Sequence, residues 1–264
     1  MKTLIVVPAR MGSTRFPGKP LKQLAGRSLV SRVGEIAQQA AEQLGDAQAV
    51  IATDHEDILT HCKEAGLTAV LTPADCRSGS DRALAAADHI APEASTIVNL
   101  QGDAPFTRPS DVVAVARVCA DAQSVSVATP YERLAWDALD QFRHQKQTTP
   151  FSGTTVLVSK AGEAIWFSKA ILPAIRNEAQ LRQTRAASPV CRHIGLYSYT
   201  RPALERFVDL PPSPFEQLEG LEQLRLLEAG IPIQCVEVAS NPAPASGIDT
   251  PEDLARAEAW LSAQ

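Results

Sequence analysis

The sequence predicts an α/β fold: a three-layer arrangement with a parallel sheet covered by helices on both faces. Two observations carry this. Short, wholly apolar runs alternate with amphipathic stretches through the first half of the chain, which is the pattern of strands buried on both sides. A chain of 264 residues with 45% hydrophobic and 21% charged residues is also large enough to bury a core without disulfide or metal staples.

The elements follow in order. Thr3–Val7 is a short apolar run that stops before Pro8 and reads as the first strand. Ser28–Leu44 carries Leu29, Val33, Ile36 and Ala40 on one face at helical spacing. Ala49–Ala52 is the next strand, and Thr53-x-x-Glu56 has the form of a capping box opening a helix over His55–Ala65. Ala69–Leu71, Thr96–Leu100 and Ser124–Thr129 read as strands, with helices over Ser80–Ile90 and Pro109–Ala120 between them. Near Pro130 the rhythm changes. Tyr131–Ser152 is polar with weak periodicity, Thr154–Val158 is strand-like, and Ala170–Pro189 is irregular and charged. His193–Thr200 reads as one strand, followed by a short helix at Pro202–Val208. Ser213-Pro214-x-Glu216 opens a helix striped by Leu218, Leu221, Leu224 and Leu227 and closed by Gly230. Ile233–Val238 is the last strand, and Thr250-Pro251-Glu252-Asp253 starts the last helix.

Composition removes several functions. A net charge of −5 argues against a nucleic-acid binder, which would present a basic face. No apolar run approaches the length of a membrane span, and Leu4–Val7 is too short for a signal-peptide core. The five cysteines (Cys62, Cys76, Cys119, Cys191, Cys235) are scattered, with no C-x-x-C pair. They read as reduced thiols of a cytoplasmic protein. The charge is unevenly spread, however. Seven basic residues (Lys2, Arg10, Arg15, Lys19, Lys22, Arg27, Arg32) precede the first acidic one, Glu35. The remainder of the chain is correspondingly more acidic, so an acidic total conceals a local cationic site suited to a small polyanion.

Ligands of such folds sit beyond the carboxyl ends of the strands. The loop after the first strand, Pro8-Ala9-Arg10-Met11-Gly12-Ser13-Thr14-Arg15-Phe16-Pro17-Gly18-Lys19-Pro20, supplies glycine-exposed amides and three positive charges, as a phosphate chain requires. It matches neither a Walker A loop nor a dinucleotide fingerprint. Gln101-Gly102-Asp103 ends a buried strand and aims a hard carboxylate at the same crevice; a turn or helix-cap role fits it as well. At Asp249, helix start and ligand fit equally: Thr250 suits the N-cap, Pro251 the first helical position and Asp253 the box carboxylate, leaving Asp249 just outside. His193 and Tyr197, four apart on the expected strand, share a face and fit a satisfied core as well as a site. Thr53 and Asp54 also fit caps, Ser78-Gly79 an ordinary turn, and Glu222 a solvated helix face.

The first loop resembles the nucleotide-binding loop of sugar nucleotidyltransferases, and the chain most resembles the CMP-Kdo synthetase (3-deoxy-manno-octulosonate cytidylyltransferase) family. Further matching segments run in order: Ala52-Thr53-Asp54-His55-Glu56, Arg77-Ser78-Gly79-Ser80-Asp81-Arg82, Asn99-Leu100-Gln101-Gly102-Asp103, Arg192-His193-Ile194-Gly195-Leu196-Tyr197, Ser213-Pro214 through Leu221-Glu222-Gln223-Leu224-Arg225, and Gly247-Ile248-Asp249-Thr250-Pro251-Glu252-Asp253-Leu254. The resemblance implies a Rossmann-like nucleotidyltransferase fold formed by residues 1–264 as a single domain. A smaller inserted β region, about 131–200, would serve the acceptor and pair two subunits. It implies transfer of CMP from CTP to an eight-carbon 3-deoxy-2-ulosonic acid, with Mg²⁺ as cofactor. It implies that Arg10, Lys19 and Asp103 are catalytic, and that Asp103 and Asp249 hold the metal. Nucleotide contacts would come from Pro8, Ala9, Arg10, Ser13, Thr14, Arg15, Lys19, Thr53, Asp54, Ser78, Gly79, Arg82 and Gln101. Sugar-acid contacts would come from Gln101, His193, Tyr197, Glu222 and Gln223. Three positions depart from the family pattern: Ala104 where glutamate is usual, Thr155 where a lysine is expected, and Lys169 for arginine. They lie on the acceptor or dimer side, leave cytidylyl transfer intact and keep open a cytidylyltransferase for a related acidic sugar. A separate alternative is a non-catalytic nucleotide-sugar binding protein of the same fold, against which Lys19, Asp103 and Asp249 argue.

Overall fold

The structure is a computed structural model, and it describes residues 2–12, 16–121, 124–243 and 247–264. The chain runs β1 (Thr3–Ala9), β2 (Gln23–Leu24), β3 (Arg27–Ser28), α1 (Leu29–Leu44), β4 (Ala47–Thr53), α2 (Glu56–Glu64), β5 (Ala69–Leu71), α3 (Gly79–Ile90), β6 (Thr96–Leu100) and α4 (Pro109–Asp121). It continues with β7 (Val127–Ala135), α5 (Trp136–Thr148), β8 (Thr154–Val158), β9 (Ala164–Ser168), α6 (Glu178–Thr184), β10 (Ala187–His193) and β11 (Leu196–Thr200). The last elements are α7 (Arg201–Asp209), α8 (Pro214–Glu219), α9 (Leu224–Glu228), β12 (Gln234–Glu237) and α10 (Pro251–Ser262).

One mixed sheet dominates, in the order β5-β4-β1-β6-β11-β7-β10-β8-β9, with β12 pairing β7. The first four strands are parallel, as the apolar runs require; from β11 onward neighbours on this path are antiparallel. Side chains alternate along β1, so its two faces feed two cores. Leu4 and Val6 pack with Ala83, Ala86 and Ala87 of α3 and with Leu204 and Phe207 of α7. Ile5 and Val7 pack with Val30 and Val33 of α1, Ile58 of α2 and Val112 and Val115 of α4. These are the three layers. A smaller core joins Phe16, Leu24 and Leu29 to Ile248 and Ala257, tying α10 to the segment that precedes α1.

Several expectations are corrected. The helix after β4 is capped by His55, whose Nδ1 accepts from Asp57 N at 3.2 Å, and not by a Thr53–Glu56 box. Strand pairing continues through Thr53, so its hydroxyl accepts from His55 N instead. The chain does not lose its strand at Pro130: β7 runs through it, at the point where its flanking partner changes from β11 to β10. A proline is tolerated where ladder pairing is already interrupted. The polar stretch after it contains α5, which buries Leu139 and Phe142.

The single strand expected over His193–Thr200 is two. β10 and β11 follow the same flank of β7, but the pairing slips between His193↔Tyr131 and Ser198↔Ala128. The break is a bulge at Ile194–Gly195, where Ile194 N still reaches Pro130 O at 3.1 Å. The long helix expected over Ser213–Gly230 also divides, at Gly220 in the left-handed conformation (φ 62°). Leu218 is left exposed while Leu221 and Leu224 enter the core. Edge strand β9 and helix α6 were not anticipated. Among the described residues no helix is long and apolar enough to cross a membrane.

Candidate active site

A cleft of about 390 Å³ opens at the carboxyl ends of β1 and β6. Its walls include Pro8, Ala9, Arg10, Lys19, Arg82 and Gln101, together with Ser78, Gly79, Asp103 and Asp249. The sequence singled out all ten. Pro20, Cys76, Arg77 and Gly102 also line it and were not singled out as contacts. Pro20, Arg77 and Gly102 lie within the motifs and Cys76 precedes one of them, so position in sequence was the available signal. Ser13, Thr14 and Arg15 lie outside the described residues.

Glycines at two positions set the shape of this cleft. A side chain at Gly102 would run into the backbone carbonyl oxygen of Pro8. Only glycine therefore lets the turn after β6 lie against the end of β1 and bring Asp103 into the crevice. A Cβ at Gly247 would stand 2.9 Å from Asp103 Oδ1 and 3.1 Å from its Cγ. Gly247 thus leaves room for the carboxylate, a role that nothing in the sequence pattern had announced.

Asp249 is delivered from the far end of the chain. Thr250 caps α10 and Asp253 closes the box, accepting from Asp249 N at 3.0 Å and Thr250 N at 2.9 Å. The cap is complete without the Asp249 side chain, which turns to the cleft. There the Lys19 ammonium lies between two carboxylates, 2.7 Å from Asp103 Oδ2 and 3.0 Å from Asp249 Oδ1. Burial would lower the Lys19 pKa, but the two carboxylates outweigh it and raise it, so the ammonium stays charged.

Opposite them, α3 points its N-terminus at the cleft. The Ser78 hydroxyl accepts from Ser80 N and Asp81 N, both at 3.2 Å, and donates to Asp81 Oδ2 at 2.6 Å. Ser78 is therefore occupied as a cap, and the positive end of the helix dipole faces whatever anion enters. Arg82 is spent on Asp54 (3.0 Å) and Thr72 (2.6 Å), and Asp54 also accepts from Met11 N at 3.3 Å. These contacts tie the first loop to α3. Asp54 and the fully buried Thr53 are not part of the cleft wall.

Asp103 and Asp249 supply hard oxygen donors from two sides of one cleft. Among the described residues no third His, Cys, Asp or Glu joins them. Two carboxylates with the remaining positions left to water and phosphate oxygens suit Mg²⁺, which binds through few protein ligands. The residues present therefore fit this ion.

Comparison with known proteins agrees with this geometry. The family description Cytidylyltransferase matches residues 4–234. A 3-deoxy-manno-octulosonate cytidylyltransferase from Maricaulis maris is 41% identical over 264 residues, covering 100% of this chain and 98% of the relative. The chain belongs to the 3-deoxy-manno-octulosonate cytidylyltransferase family. A second member, from Chelativorans, is 38% identical over 270 residues, covering 100% of this chain and 98% of its own. A solved structure of CMP:2-keto-3-deoxy-manno-octonic acid synthetase complexed with CTP superposes with a TM-score of 0.82 at 35% identity, covering 100% of this chain and 99% of the other. A cytidylyltransferase from Leptospira borgpetersenii, at 17% identity and a TM-score of 0.61 over 100% of this chain and 88% of its own, shares the fold.

Of the acceptor residues the resemblance implies, Gln101 lines the cleft, while His193, Tyr197, Glu222 and Gln223 do not. His193 and Tyr197 sit on two strands, yet the bulge keeps their rings 5.5 Å apart, in a series with Phe167 on one side and Tyr199 on the other. Burial, with Lys169 nearby, pushes His193 down to about 3, so its imidazole is neutral. Thr129 Oγ1 lies 2.8 Å from both His193 Nε2 and the Leu196 carbonyl oxygen. The hydroxyl proton satisfies the carbonyl, which places the imidazole proton on Nε2. Glu222 and Gln223 lie in the turn between α8 and α9, directed inward and not to solvent. Burial raises the Glu222 pKa. Its Oε1 and the Gln223 Nε2 are buried without a hydrogen-bond partner among the described residues. Hydrogen bonds from Gln101 to Asn99 (3.5 Å), Asn99 to Ser80 (3.3 Å) and Ser80 to Glu222 (3.5 Å) connect this region to the cleft.

Proposed function

We propose that the protein transfers CMP from CTP to an eight-carbon 3-deoxy-2-ulosonic acid (Kdo), giving CMP-Kdo and pyrophosphate for lipopolysaccharide or capsule biosynthesis in the cytoplasm. The observation that carries this is the convergence of Arg10, Lys19, Asp103 and Asp249 on one cleft, in a chain similar over its full length to relatives bearing that name.

In this reading the triphosphate enters between the first loop and the N-terminus of α3. Arg10 and Lys19 neutralise charge on the α-phosphate and the departing pyrophosphate, and the helix dipole adds to them. Mg²⁺ held by Asp103 and Asp249 would supply a Lewis acid that screens the triphosphate and lowers the pKa of the attacking hydroxyl. The sugar's anomeric hydroxyl attacks the α-phosphorus in line as pyrophosphate leaves, so the protein's task is positioning more than proton chemistry. Gln101, between the cleft and the buried polar chain, touches both substrates. His193, Tyr197, Glu222 and Gln223 orient the sugar acid.

Mg²⁺-dependent release of pyrophosphate from CTP plus Kdo tests the proposal; absence of turnover with any ulosonic acid at saturating Mg²⁺ rejects it. Asp103→Asn removes activity with an unchanged thermal transition if the metal role is right.

The choice of sugar rests on fewer residues. Lys169 Nζ lies 3.3 Å from Thr154 Oγ1 beside the acceptor aromatics, and Thr155 Oγ1 bonds the Ala170 carbonyl at 2.7 Å. Two of the three departures from the family pattern thus meet at one place. Turnover across a panel of acidic sugars with CTP separates Kdo from a related amino-ulosonate or nonulosonate. The region about 131–200 would also help pair two subunits. Edge strand β9 exposes Ile165, and Phe151, Phe215 and Leu218 are exposed close by. Light scattering on the purified protein reads the oligomeric state directly.

A further inference from the structure

We propose that Lys19 is the resident counter-ion of the two carboxylates, and that it must leave them before a divalent cation can bind. The inference rests on the metal-dependent transfer proposed above. Lys19 Nζ is at hydrogen-bond distance from Asp103 Oδ2 (2.7 Å) and Asp249 Oδ1 (3.0 Å), carboxylates 84 and 230 residues away along the chain. All three side chains line the same cleft.

Two carboxylates facing each other without a cation repel and would splay. One ammonium between them holds both in place, so the metal ligands are preorganised in the ligand-free protein. The same ammonium occupies the position that would serve a cation. It is also electrostatically redundant once a divalent ion is present, since cation beside cation is unfavourable.

The triphosphate resolves this conflict. Its oxygens offer Lys19 a new partner of the same sign as the one it gives up. Moving the ammonium onto phosphate vacates the position between the two carboxylates at the moment the metal's remaining oxygen ligands arrive. Nucleotide and metal therefore bind with positive coupling, and the free protein discriminates against a bare divalent ion. Lys19 acts here as a positioning residue for Asp103 and Asp249, in addition to its contact with phosphate.

The test is Mn²⁺ binding to the protein without nucleotide, read by electron paramagnetic resonance of unbound Mn²⁺. Lys19→Met keeps the unbranched shape of the side chain, one atom shorter, and removes its charge. Free Lys19→Met protein binds Mn²⁺ about tenfold more tightly than the wild type, although its affinity for CTP falls. Lys19→Arg keeps the cation and binds Mn²⁺ as weakly as the wild type. Circular dichroism and the thermal transition confirm that each variant is folded. Equal or weaker Mn²⁺ binding by folded Lys19→Met, with the wild type still taking up Mn²⁺ when CTP is present, overturns the counter-ion role alone. If no protein takes up Mn²⁺ even with CTP, the metal-dependent reading falls and the counter-ion role falls with it.

Discussion

The neutral, buried His193 makes stability depend on pH in a predictable direction. In the folded protein its pKa is held down to about 3, against an ordinary value of 6.5. As pH falls through the ordinary value, the unfolded chain takes up a proton that the folded chain refuses. The unfolded state binds more protons, so stability drops as pH drops. Each pH unit below the unfolded pKa costs about 1.36 kcal/mol. The loss from this one residue is then about 2 kcal/mol at pH near 5 and about 3.4 kcal/mol at pH near 4. It levels off once pH passes below the folded value. Glutamine at this position retains a side-chain N–H for Thr129 and cannot titrate. Urea midpoints measured from about pH 7.5 to 4 for wild type and His193→Gln give two profiles. Carboxylates contribute equally to both, so the difference isolates the imidazole. The variant's profile is expected to be flatter by the amounts above. Parallel profiles would show that the folded protein accepts the proton, and would refute the burial argument.

Three further outcomes follow from the packing. Gly102→Ala drives a methyl group into the Pro8 carbonyl; the overpacking costs about 1–3 kcal/mol, and displacement of Asp103 lowers kcat by about a hundredfold, both absent if the turn can shift freely. Gly247→Ala crowds the Asp103 carboxylate and is expected to lower kcat about tenfold or more with little change in the thermal transition; wild-type turnover would reject the clearance role. Lys146 Nζ donates among the carbonyls of Pro150 (3.1 Å), Ser152 (2.7 Å), Gly153 (3.2 Å) and Lys169 (2.6 Å). Lys146→Met leaves these acceptors without a donor and lowers stability by about 1–3 kcal/mol, which a urea titration measures; an unchanged midpoint would mean that water replaces the ammonium.

The parallel half of the sheet was legible because its strands are buried on both faces, and burial writes itself as unbroken apolar runs such as Leu4–Val7. Capping chemistry left Asp249 open between helix start and ligand, since Thr250 and Asp253 can close the cap without it; the resemblance favours a ligand, and the structure turns its side chain to the cleft. The antiparallel half was harder. Leucines at 218, 221, 224 and 227 favour one continuous helix, and only tertiary packing makes Gly220 turn the chain and send Glu222 and Gln223 inward. The slip between β10 and β11 has no local mark, because register depends on the partner strand. The Lys19 bridge joins three distant segments, so no window of sequence contains it.

The slip at Ile194–Gly195 has a mechanical consequence. β11 is bonded to β6 of the parallel half, while β10, its continuation along β7, is bonded to β8 of the antiparallel half. One hydrogen-bonded sheet therefore carries both the cleft and the polar residues beside it, from Gln101 to His193. Hinged opening would require ladder bonds of β7, β10 or β11 to break. The spacing between the cleft and the His193–Tyr197 pair is thus set by strand register when the chain folds.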